Sequence, residues 1–417
     1  MQSEYLGRRT PDGSLPDGVL QIGNNFFVGG GSDRYFFDIS AALARAGVRV
    51  IPFAPRDERN ETTPWSSYFP ASLRTDRAGP GDVFRFIYST AAKRSLKQLL
   101  RAERIQLAHL HIYYGRLTAA ILPVLVNAGI PIVQTVHDFK LVCPVYSCLR
   151  NGRICEDCHG RSFWKAAVYR CNRGSAIRSF LSSTESYVSK SLGSHSSIDH
   201  YIAVSDFQKE RLLANEVCTP DRITTIHNAV YPAAFDWDDS NGEYVCYFGR
   251  VEKLKGMQTL LEAMRRLPNV QLKIAGDGSY LPDCERYVRD NGLSNVEFCG
   301  RLSGPRLAEF VKHSLCSVLP TEAYENCPMS VLESLAYGRP VVGSRIGGIP
   351  ELVEEGIDGI LFSPGNVDEL AGSIGRIAGN HALAVEMGRA GRKKIESRFN
   401  MDRHLEDVMR VYSKVLA

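Results

Sequence analysis

The sequence predicts an α/β protein of two Rossmann-like domains, each a parallel sheet flanked by helices. Short β-branched runs alternate with amphipathic helical segments along almost the whole chain. A polar, turn-rich segment, YPAAFDWDDSNGE (231–243), interrupts the alternation near the middle. Strands separated by helices of about 10–15 residues are typical of βαβ units and parallel sheets. Two such sets joined by a linker indicate two domains facing each other across a cleft.

The first domain is predicted to cover residues 1–230, beginning with a strand and a helix separated by a glycine loop. The predicted strands are 19–27, 48–55, 107–114, 131–137 and 201–205, and the predicted helices are 32–47, 91–104, 117–128, 176–192 and 206–215. Residues 56–83 are polar and contain Pro and Gly, which predicts an irregular insertion. A second insertion, 139–175, is rich in cysteine.

The second domain is predicted to cover residues 231–395 and repeats the same alternation. Its predicted strands are 243–250, 270–276, 296–300, 315–320, 340–344 and 359–362, and helices are expected from Met257, from Leu281, from Pro305 and around Glu333. In open α/β sheets, ligands bind at the carboxyl ends of the strands. We therefore expect the ligand-binding residues to lie in the loops that follow strands.

The composition is that of an ordinary globular protein, with 44% hydrophobic and 23% charged residues. The net charge of +4 is mild for 417 residues and does not indicate nucleic-acid binding. The stretch MQSEYLGRRTPDGSLPDG lacks the apolar region of a signal peptide, and no apolar run approaches the ~18 residues of a spanning helix. We therefore expect a cytoplasmic protein whose eleven cysteines are thiols or metal ligands rather than disulfides.

A glycine loop follows the first predicted strand. Gly29, Gly30 and Gly31 stand directly before a helix, where a phosphate can approach the backbone and the positive helix end. The full G-x-G-x-x-G pattern is absent, which weakens a nicotinamide-binding interpretation. The loop is either a contact for phosphate or acceptor, or simply a tight turn.

Two further loops in the second half carry candidate ligand-binding residues. In FGRVEKLKG (248–256), Arg250 ends a strand and Lys255 precedes a helix, a pair that suits a diphosphate if the loop is not merely solvated. In IAGDGS (274–279), Gly276 and Asp277 form either a ligand contact or a plain turn with Asp277 as a cap.

The most specific stretch is TEAYENCPMSVLESLAYGRPVV (321–342). Glu325 and Glu333 have seven residues between them, with Pro328 at the expected first position of a helix. The open N–H groups of such a helix start attract an anion. Glu322 is also nearby, but we do not expect it to be a site residue. A single glutamate is usually a solvated charge, but two at this spacing after an apolar strand indicate a site.

Together these stretches resemble the retaining family-4 glycosyltransferases, which have the GT-B fold. The resemblance rests on the order FGRVEKLKG, IAGDG and YENCPMSVLESLAYGRPVVGSRIGGIPELV, on VGGGSDRYFFDISAALARAGVRV, and on QTVHDFKLVCP. Glu325 and Glu333 match both glutamates of the E-x7-E signature of that family. The resemblance covers nearly the whole chain and implies that a C-terminal crossover helix, 396–417, packs back on the N-terminal domain.

The resemblance also implies roles for individual residues. Arg250 and Lys255 would bind the donor diphosphate, Glu333 the ribose, and Glu325 would lie beside the transferred sugar. His137 would face the sugar or the acceptor. The remaining donor-binding candidates are Asn326, Cys327, Pro328, Met329, Gly276, Asp277, Arg301, Leu302, Gly30 and Gly31. Asn326 departs from the family, in which glycine is common there, so the identity of the sugar cannot be carried over.

The implied activity is transfer of a sugar, with retention, from a UDP- or GDP-sugar to a glycan or lipid-linked acceptor in the synthesis of surface polysaccharide or glycoconjugate. The transfer itself would need no metal, because cationic side chains stabilise the leaving diphosphate. Two alternatives remain: a sugar-nucleotide epimerase of the same fold, and a non-catalytic protein that binds nucleotide sugars.

The insertion carries two further signals. Cys155-x2-Cys158 has a knuckle-like spacing and is flanked by Cys143 and Cys171, so four thiolates could close a structural zinc site, with buried thiols or an oxidised loop as the alternatives. A subset of the similar glycosyltransferases carries cysteines at these four positions, and the resemblance therefore implies that Cys148 and His159 are spare. The stretch 161–180 has five basic residues, no acidic residue and interleaved aromatic residues. That composition suits peripheral contact with an anionic membrane or a lipid-diphosphate acceptor, or else an ordinary solvated helix face.

Overall fold

The computed structural model describes residues 16–72, 80–239 and 242–417. It divides into two compact units. The first consists of the described part of Met1–Asn151 with Cys155–His227 and Asp402–Ala417, and the second of Gly152–Ile154 and Asn228–Met401. Each unit contains one six-stranded parallel sheet, which confirms the prediction of two Rossmann-like domains.

The strands of the first half are β1 (Val19–Ile22), β2 (Val50–Phe53), β3 (Leu107–Leu110), β4 (Ile132–Val136), β5 (Leu149–Arg150), β6 (Arg153–Ile154), β7 (His200–Ala203) and β8 (Ile223–Thr225). The sheet of the first unit has the order β2-β1-β3-β4-β7-β8, and every neighbouring pair is parallel. Its central strands are buried on both faces, as expected where helices cover both sides of a parallel sheet.

The α-helices of the first half are α1 (Gly31–Arg45), α2 (Pro80–Ile87), α3 (Thr90–Ala102), α4 (Leu122–Asn127), α5 (Trp164–Val168), α6 (Ala176–Ser189) and α7 (Asp206–Ala214). Helices α3, α6 and α7 begin at serine caps, Ser89, Ser175 and Ser205, whose hydroxyl groups accept an N–H of the first turn. Helices α2 and α5 lie in segments for which the sequence pattern predicted no helix.

The strands of the second half are β9 (Tyr244–Phe248), β10 (Leu272–Ala275), β11 (Val296–Gly300), β12 (Ser314–Leu319), β13 (Val341–Ser344) and β14 (Gly359–Phe362). Its helices are α8 (Met257–Arg265), α9 (Leu281–Asp290), α10 (Pro305–Lys312), α11 (Met329–Ala336), α12 (Ile349–Leu352), α13 (Val367–Ala378), α14 (His381–Ser397) and α15 (Met401–Leu416). The parallel sheet has the order β11-β10-β9-β12-β13-β14, that of a doubly wound nucleotide-binding fold.

Helix α15 belongs, from Asp402 onwards, to the first unit, as the predicted crossover helix should. The hydroxyl group of Tyr412 lies 2.7 Å from Nδ1 of His109 on β3, and Nε2 of His404 lies 2.9 Å from the hydroxyl group of Tyr35 on α1. These buried contacts attach the end of the chain to β3 and α1 of the first unit. In the described part of the chain no helix is both long and apolar enough to span a bilayer.

Candidate active site

The second sheet reverses its direction of strand order between β9 and β12. Loops at such a switch point splay apart and leave a crevice at the carboxyl ends of the strands, where α/β proteins bind ligands. The loop after β9 carries Arg250 and Lys255, and the loop after β12 carries Glu325. The topology therefore places these three predicted site residues at the same end of one sheet.

Lys255 and Glu325 are brought into direct contact. The ammonium group of Lys255 forms an ion pair with the carboxylate of Glu325, and the side chains are only 23% and 16% exposed. A charge pair shielded from solvent to this degree interacts more strongly than one at an open surface. Arg250 is exposed, and its carbonyl oxygen accepts the hydroxyl group of buried Tyr247 at 2.6 Å. Its backbone is anchored while the guanidinium group stays accessible.

Two glycines allow the backbone to close around this pair. Gly256 follows Lys255 with φ of 68°, and a Cβ there would lie 1.7 Å from the carbonyl oxygen of Pro320. Gly347, with φ of 60°, would bring a Cβ to 2.2 Å from the carbonyl oxygen of Glu325. The next amide, that of Gly348, donates to the same oxygen at 2.7 Å. The position of Glu325 thus depends on a close approach that only glycine permits.

Glu322 has a different, structural environment. Its carboxylate accepts the hydroxyl group of Thr259 at 2.6 Å, and its amide donates to the carbonyl oxygen of Leu254 at 3.0 Å. These contacts connect the loop after β12 to the helix α8 and to the segment before it. The structure therefore separates this glutamate from Glu325, as the sequence-based interpretation did.

The residues after Glu325 form a buried loop and the start of α11. Asn326 and Cys327 are buried, and the amide nitrogen of the Asn228 side chain donates to the carbonyl oxygen of Cys327 at 2.9 Å. Burial raises the pKa of the Cys327 thiol to about 12, so it is neutral at pH 7. Pro328 is the cap that precedes the helix rather than its first residue, because its ψ is 122° and the helix begins at Met329.

That difference moves the start of α11 by one residue. The amide of Val331 already donates to the carbonyl oxygen of Pro328 at 3.1 Å. The amides of Met329 and Ser330 are therefore the ones that this helix start can offer to an anion. Glu333 is the fifth residue of α11 and is half-buried. It lies more than one helical turn from the first residue of α11, Met329.

The other candidates of the second unit lie at neighbouring strand ends. A Cβ on Gly276 would meet the carbonyl oxygen of Gly249 at 1.9 Å, so this glycine lets the loops after β9 and β10 touch. Asp277 accepts the amide of Gly278 at 2.7 Å, the contact of a turn residue. Arg301, which follows β11, is exposed, and Leu302 packs partly buried against a cluster that includes Phe248.

In the first unit, the glycine loop forms the start of α1. Gly30 caps the helix, and a Cβ on it would meet no atom within 4 Å. Gly31 is the first helical residue. The carboxylate of Asp33 accepts the amide of Gly29 at 3.1 Å and the side-chain amide of Asn25. Because this carboxylate already occupies the helix start, a phosphate there would meet a negative charge, which favours the alternatives of an acceptor contact or a plain turn.

His137 follows β4 and belongs to a buried histidine network that the sequence reasoning did not find. Its Nε2 lies 3.0 Å from Nδ1 of His111, and Nε2 of His111 lies 2.7 Å from Oε1 of Gln21. Because an amide oxygen only accepts, His111 donates from Nε2, and His137 donates its own Nε2–H to His111. Burial lowers the pKa of His137 to about 3, so the ring is neutral at pH 7.

The same network extends to β3 and α15. His109 on β3, two residues before His111, lies 2.7 Å from the hydroxyl groups of both Thr135 and Tyr412. Burial lowers the pKa of His109 to about 3 and that of His404 to about 4. The period-2 histidines in LAHLHIYY were the sequence signal for this network.

The cysteine-rich insertion forms a cavity in the first unit. Five thiols line it: Cys143, Cys148, Cys155, Cys158 and Cys171. None of the five forms a disulfide, and a hydrogen bond from Cys148 lowers the pKa of Cys143 below its ordinary value. Over the described ranges, no three Cys, His, Asp or Glu side chains are grouped as they would be around a metal ion. The predicted zinc site therefore stays a prediction, supported by the donor chemistry of the cavity. His159 instead contacts Asn215 at 3.1 Å.

Two family models match the chain and together span most of it. Residues 29–233 match a model described as Glycosyltransferase Family 4, and residues 242–380 match one described as Glycosyl transferases group 1. The boundary between the two matches falls in the polar segment 231–243.

Similar proteins in curated collections are mostly matched over part of their length. An uncharacterized glycosyltransferase of Methanocaldococcus jannaschii, MJ1178, is 27% identical over 52% of this chain and 60% of its own. The lipopolysaccharide 1,6-galactosyltransferase of Salmonella typhimurium is 28% identical over 43% of this chain and 52% of its own. The chain thus spans little more than half of the length of these two relatives.

Solved structures match the fold over nearly the whole chain. A sucrose-phosphate synthase from Thermosynechococcus elongatus has a TM-score of 0.71 at 20% identity, covering 96% of this chain and 99% of its own. Anabaena HepE, solved with UDP-glucose, has a TM-score of 0.66 at 16% identity, covering 95% and 99%. At these identities the likeness establishes the GT-B fold.

Proposed function

Because the chain belongs to the family 4 and group 1 glycosyltransferases, we propose that it transfers a sugar from a nucleoside-diphosphate sugar to a glycan or lipid-linked acceptor. The observation that carries the proposal is the part-buried Lys255–Glu325 ion pair at the switch point of the second sheet. A cation, a carboxylate and an open helix start at that place suit a ligand with a diphosphate joined to a sugar.

Each of these groups would have a separate role toward the donor. Cleavage of the sugar–phosphate bond puts negative charge on the diphosphate and positive charge on the sugar ring. Arg250, Lys255 and the first amides of α11 would stabilise the diphosphate, and Glu325 would face the ring. Glu333, further along α11, would hold the ribose. The neutral His137 would accept or donate hydrogen bonds to sugar or acceptor without adding a charge.

We further propose a UDP- or GDP-sugar as the donor and retention of the anomeric configuration. The structure of HepE with UDP-glucose supports a uridine donor by analogy of fold. The Salmonella relative acts on lipopolysaccharide, which supports a glycan acceptor in glycoconjugate synthesis. In the proposed retaining reaction, the acceptor would attack the face of the sugar from which the phosphate departs. The departing phosphate would take the acceptor proton, and Lys255 would compensate the negative charge of the phosphate.

A donor panel tests this function directly. UDP-, GDP- and ADP-sugars are titrated against the full chain by calorimetry, and nucleotide release is then followed with and without candidate acceptors. Binding of one nucleotide class that weakens in Lys255→Met supports the proposal. Absence of binding by all three classes would contradict it. NMR of the product settles the stereochemistry, because an inverted anomeric centre is incompatible with retention.

The same assay separates the two alternatives. An epimerase would convert the nucleotide sugar into its epimer without an acceptor and without net release of nucleotide, whereas a transferase releases nucleotide. A non-catalytic binder would bind the nucleotide sugar and release nothing. No feature of the second sheet specifically favours either of them, and the paired Lys255 and Glu325 favour catalysis over mere binding.

We also propose that the cysteine cavity binds a structural thiophilic metal such as zinc. Thiolates are the ligands that zinc prefers in structural sites, and four of them close a tetrahedral shell. Cys143, Cys155, Cys158 and Cys171 would supply that shell, and Cys148 would stay a thiol. The metal would stabilise the insertion and take no part in sugar transfer.

A further inference from the structure

Helix α6 is amphipathic in the reverse sense of an ordinary surface helix. Its buried face is polar and consists of Ser179, Ser182, Ser183, Glu185, Ser186 and Ser189. Its outer face carries Ile177, Phe180 and Tyr187, which are 74%, 62% and 40% exposed. Surface helices normally bury the apolar stripe and expose the polar one. Large apolar side chains turned outwards at helical spacing therefore indicate a surface that contacts something apolar.

The neighbouring helices extend this surface. Trp164 and Val168 of α5 are 55% and 63% exposed, and the amide of Trp164 donates to the hydroxyl group of Tyr187 at 3.3 Å. Helix α2 also lies against α6, and its Phe84 is 59% exposed. The outward side chains of α2, α5 and α6 thus form one apolar area that includes two aromatic residues with polar groups.

The exposed charges of α5, α6 and the segment between them are positive, and Asp82 on α2 is paired with Arg85 at 3.5 Å. Arg170 and Arg173, between α5 and α6, and Arg178 on α6 are exposed. The sequence from 161 to 184 contains no acidic residue. Glu185, the acidic residue of α6, is 1% exposed and forms an ion pair with Lys140 at 2.6 Å, so its charge is compensated inside the unit. We call these arginines, with the apolar residues above, the apolar-basic face.

We propose that the apolar-basic face binds the surface of an anionic lipid bilayer. Arginine side chains reach phosphate groups of lipids, and Trp and Tyr favour the level of the headgroups, while Phe and Ile enter the acyl boundary. A second copy of the chain would bring arginine against arginine, which opposes self-association. The proposal concerns binding and holds whether or not the chain transfers a sugar.

Vesicle sedimentation with the full chain tests the proposal. Vesicles of phosphatidylcholine with about one third phosphatidylglycerol should bind the protein, and vesicles of phosphatidylcholine alone should bind it far more weakly. Arg170→Gln, Arg173→Gln and Arg178→Gln together should weaken binding about 100-fold, since each basic residue contributes about 1 kcal/mol at such a surface. High salt should act in the same direction.

Matched variants locate the binding. Ile177→Glu with Phe180→Glu should abolish sedimentation, whereas Ile357→Glu, at another exposed apolar residue, should not. Arg286→Gln, Arg289→Gln and Arg306→Gln together serve as the charge control. Bromine-labelled lipids should quench tryptophan fluorescence in the wild type and not in Trp164→Phe.

Three outcomes would overturn the proposal. The first is no preference for anionic vesicles by the wild type. The second is equal binding by the face variants and their controls. The third is a concentration-dependent dimer, measured by sedimentation velocity, that Ile177→Glu with Phe180→Glu dissociates, because the face would then be covered by a second copy. The position of the thermal transition of each variant shows whether it is folded, and the fluorescence quenching needs only the conservative Trp164→Phe change.

Discussion

The ammonium group of Lys255 is ion-paired with the carboxylate of Glu325, and the pair links the loop after β9 to the loop after β12. Each partner is attached to backbone that glycine allows to pack closely: Gly256 against Pro320, and Gly347 against Glu325 itself. A diphosphate that binds Lys255 would compete with this carboxylate and leave Glu325 to face the sugar. The pair thus holds a cation and a carboxylate in place before an anionic ligand binds.

We predict that Lys255→Met and Glu325→Gln each reduce kcat/KM for sugar transfer by about 10²–10³, the effect of removing one preorganised electrostatic contact. Lys255→Met should also weaken binding of the free nucleoside diphosphate, because in the proposed site the lost charge would face the phosphate. Initial rates of nucleotide release and calorimetry of nucleotide binding measure the two effects separately.

The matched control for these changes is Glu322→Gln. The amide oxygen of the introduced glutamine can still accept the hydrogen bond from the hydroxyl group of Thr259. We therefore expect turnover within a few-fold of the wild type. Equal losses in Glu322→Gln and Glu325→Gln would mean that the loss reflects the fold of the loop and not a role of Glu325.

A second prediction concerns the glycine that supports Glu325. Gly347→Ala should lower both stability and turnover, because φ of 60° is strained for alanine and its Cβ would meet the Glu325 carbonyl oxygen at 2.2 Å. Gly356→Ala is the control, because Gly356 has φ of 77° but no atom within 4 Å of its Cβ. The control should lose only about 1 kcal/mol of stability.

Urea unfolding and initial rates provide the comparison between the two glycine variants. Turnover that falls in Gly347→Ala and not in Gly356→Ala would show that displacement of Glu325 is responsible. If turnover were normal in both, the close approach of Gly347 would have no functional consequence.

The sequence predicted the βαβ alternation well because buried parallel strands leave continuous apolar runs such as YVCYF and SLCSVL. Helices α2 and α5 escaped prediction because they are short, and because their apolar side chains face outwards instead of defining a buried stripe. The histidine network escaped because it is assembled from β1, β3, β4 and α15, which are distant in sequence. The Lys255–Glu325 contact could be suspected from the motifs, but its formation depends on the strand order.

A third prediction follows from the buried histidines. His109 has a pKa of about 3 in the folded protein, against about 6.5 for an unfolded chain. Between these values the unfolded state binds a proton that the folded state does not, so stability falls as the pH falls from 6.5 towards 3. At pH 5 the loss is about 2 kcal/mol for this one histidine. Asp138, whose pKa burial raises to about 6, acts in the opposite direction and offsets part of the total.

The comparison that isolates this effect is urea unfolding of wild type and His109→Gln at pH 7 and pH 5. The loss of stability between the two pH values should be about 2 kcal/mol smaller in the variant. The control, His381→Gln, changes an exposed histidine and should leave the pH dependence unchanged. An identical pH dependence in all three proteins would mean that His109 takes up its proton in the folded state at an ordinary pH.

The last prediction concerns the cysteine cavity and its proposed metal. Protein purified without chelator should contain about one equivalent of zinc per chain by elemental analysis, since four thiolates form one tetrahedral site. Cys155→Ser with Cys158→Ser should lose the metal and the thermal stability that depends on it, because a bound metal stabilises only the folded insertion. Cys218→Ser changes a cysteine outside the cavity and should retain both the metal and the stability.

Removal of zinc should leave donor binding by the second unit unchanged, because Lys255 and Glu325 belong to a different unit from the cavity. Metal-free protein that is as stable as the purified protein, and whose stability does not rise when zinc is added, would rule out a structural metal and leave the cavity as a cluster of buried thiols.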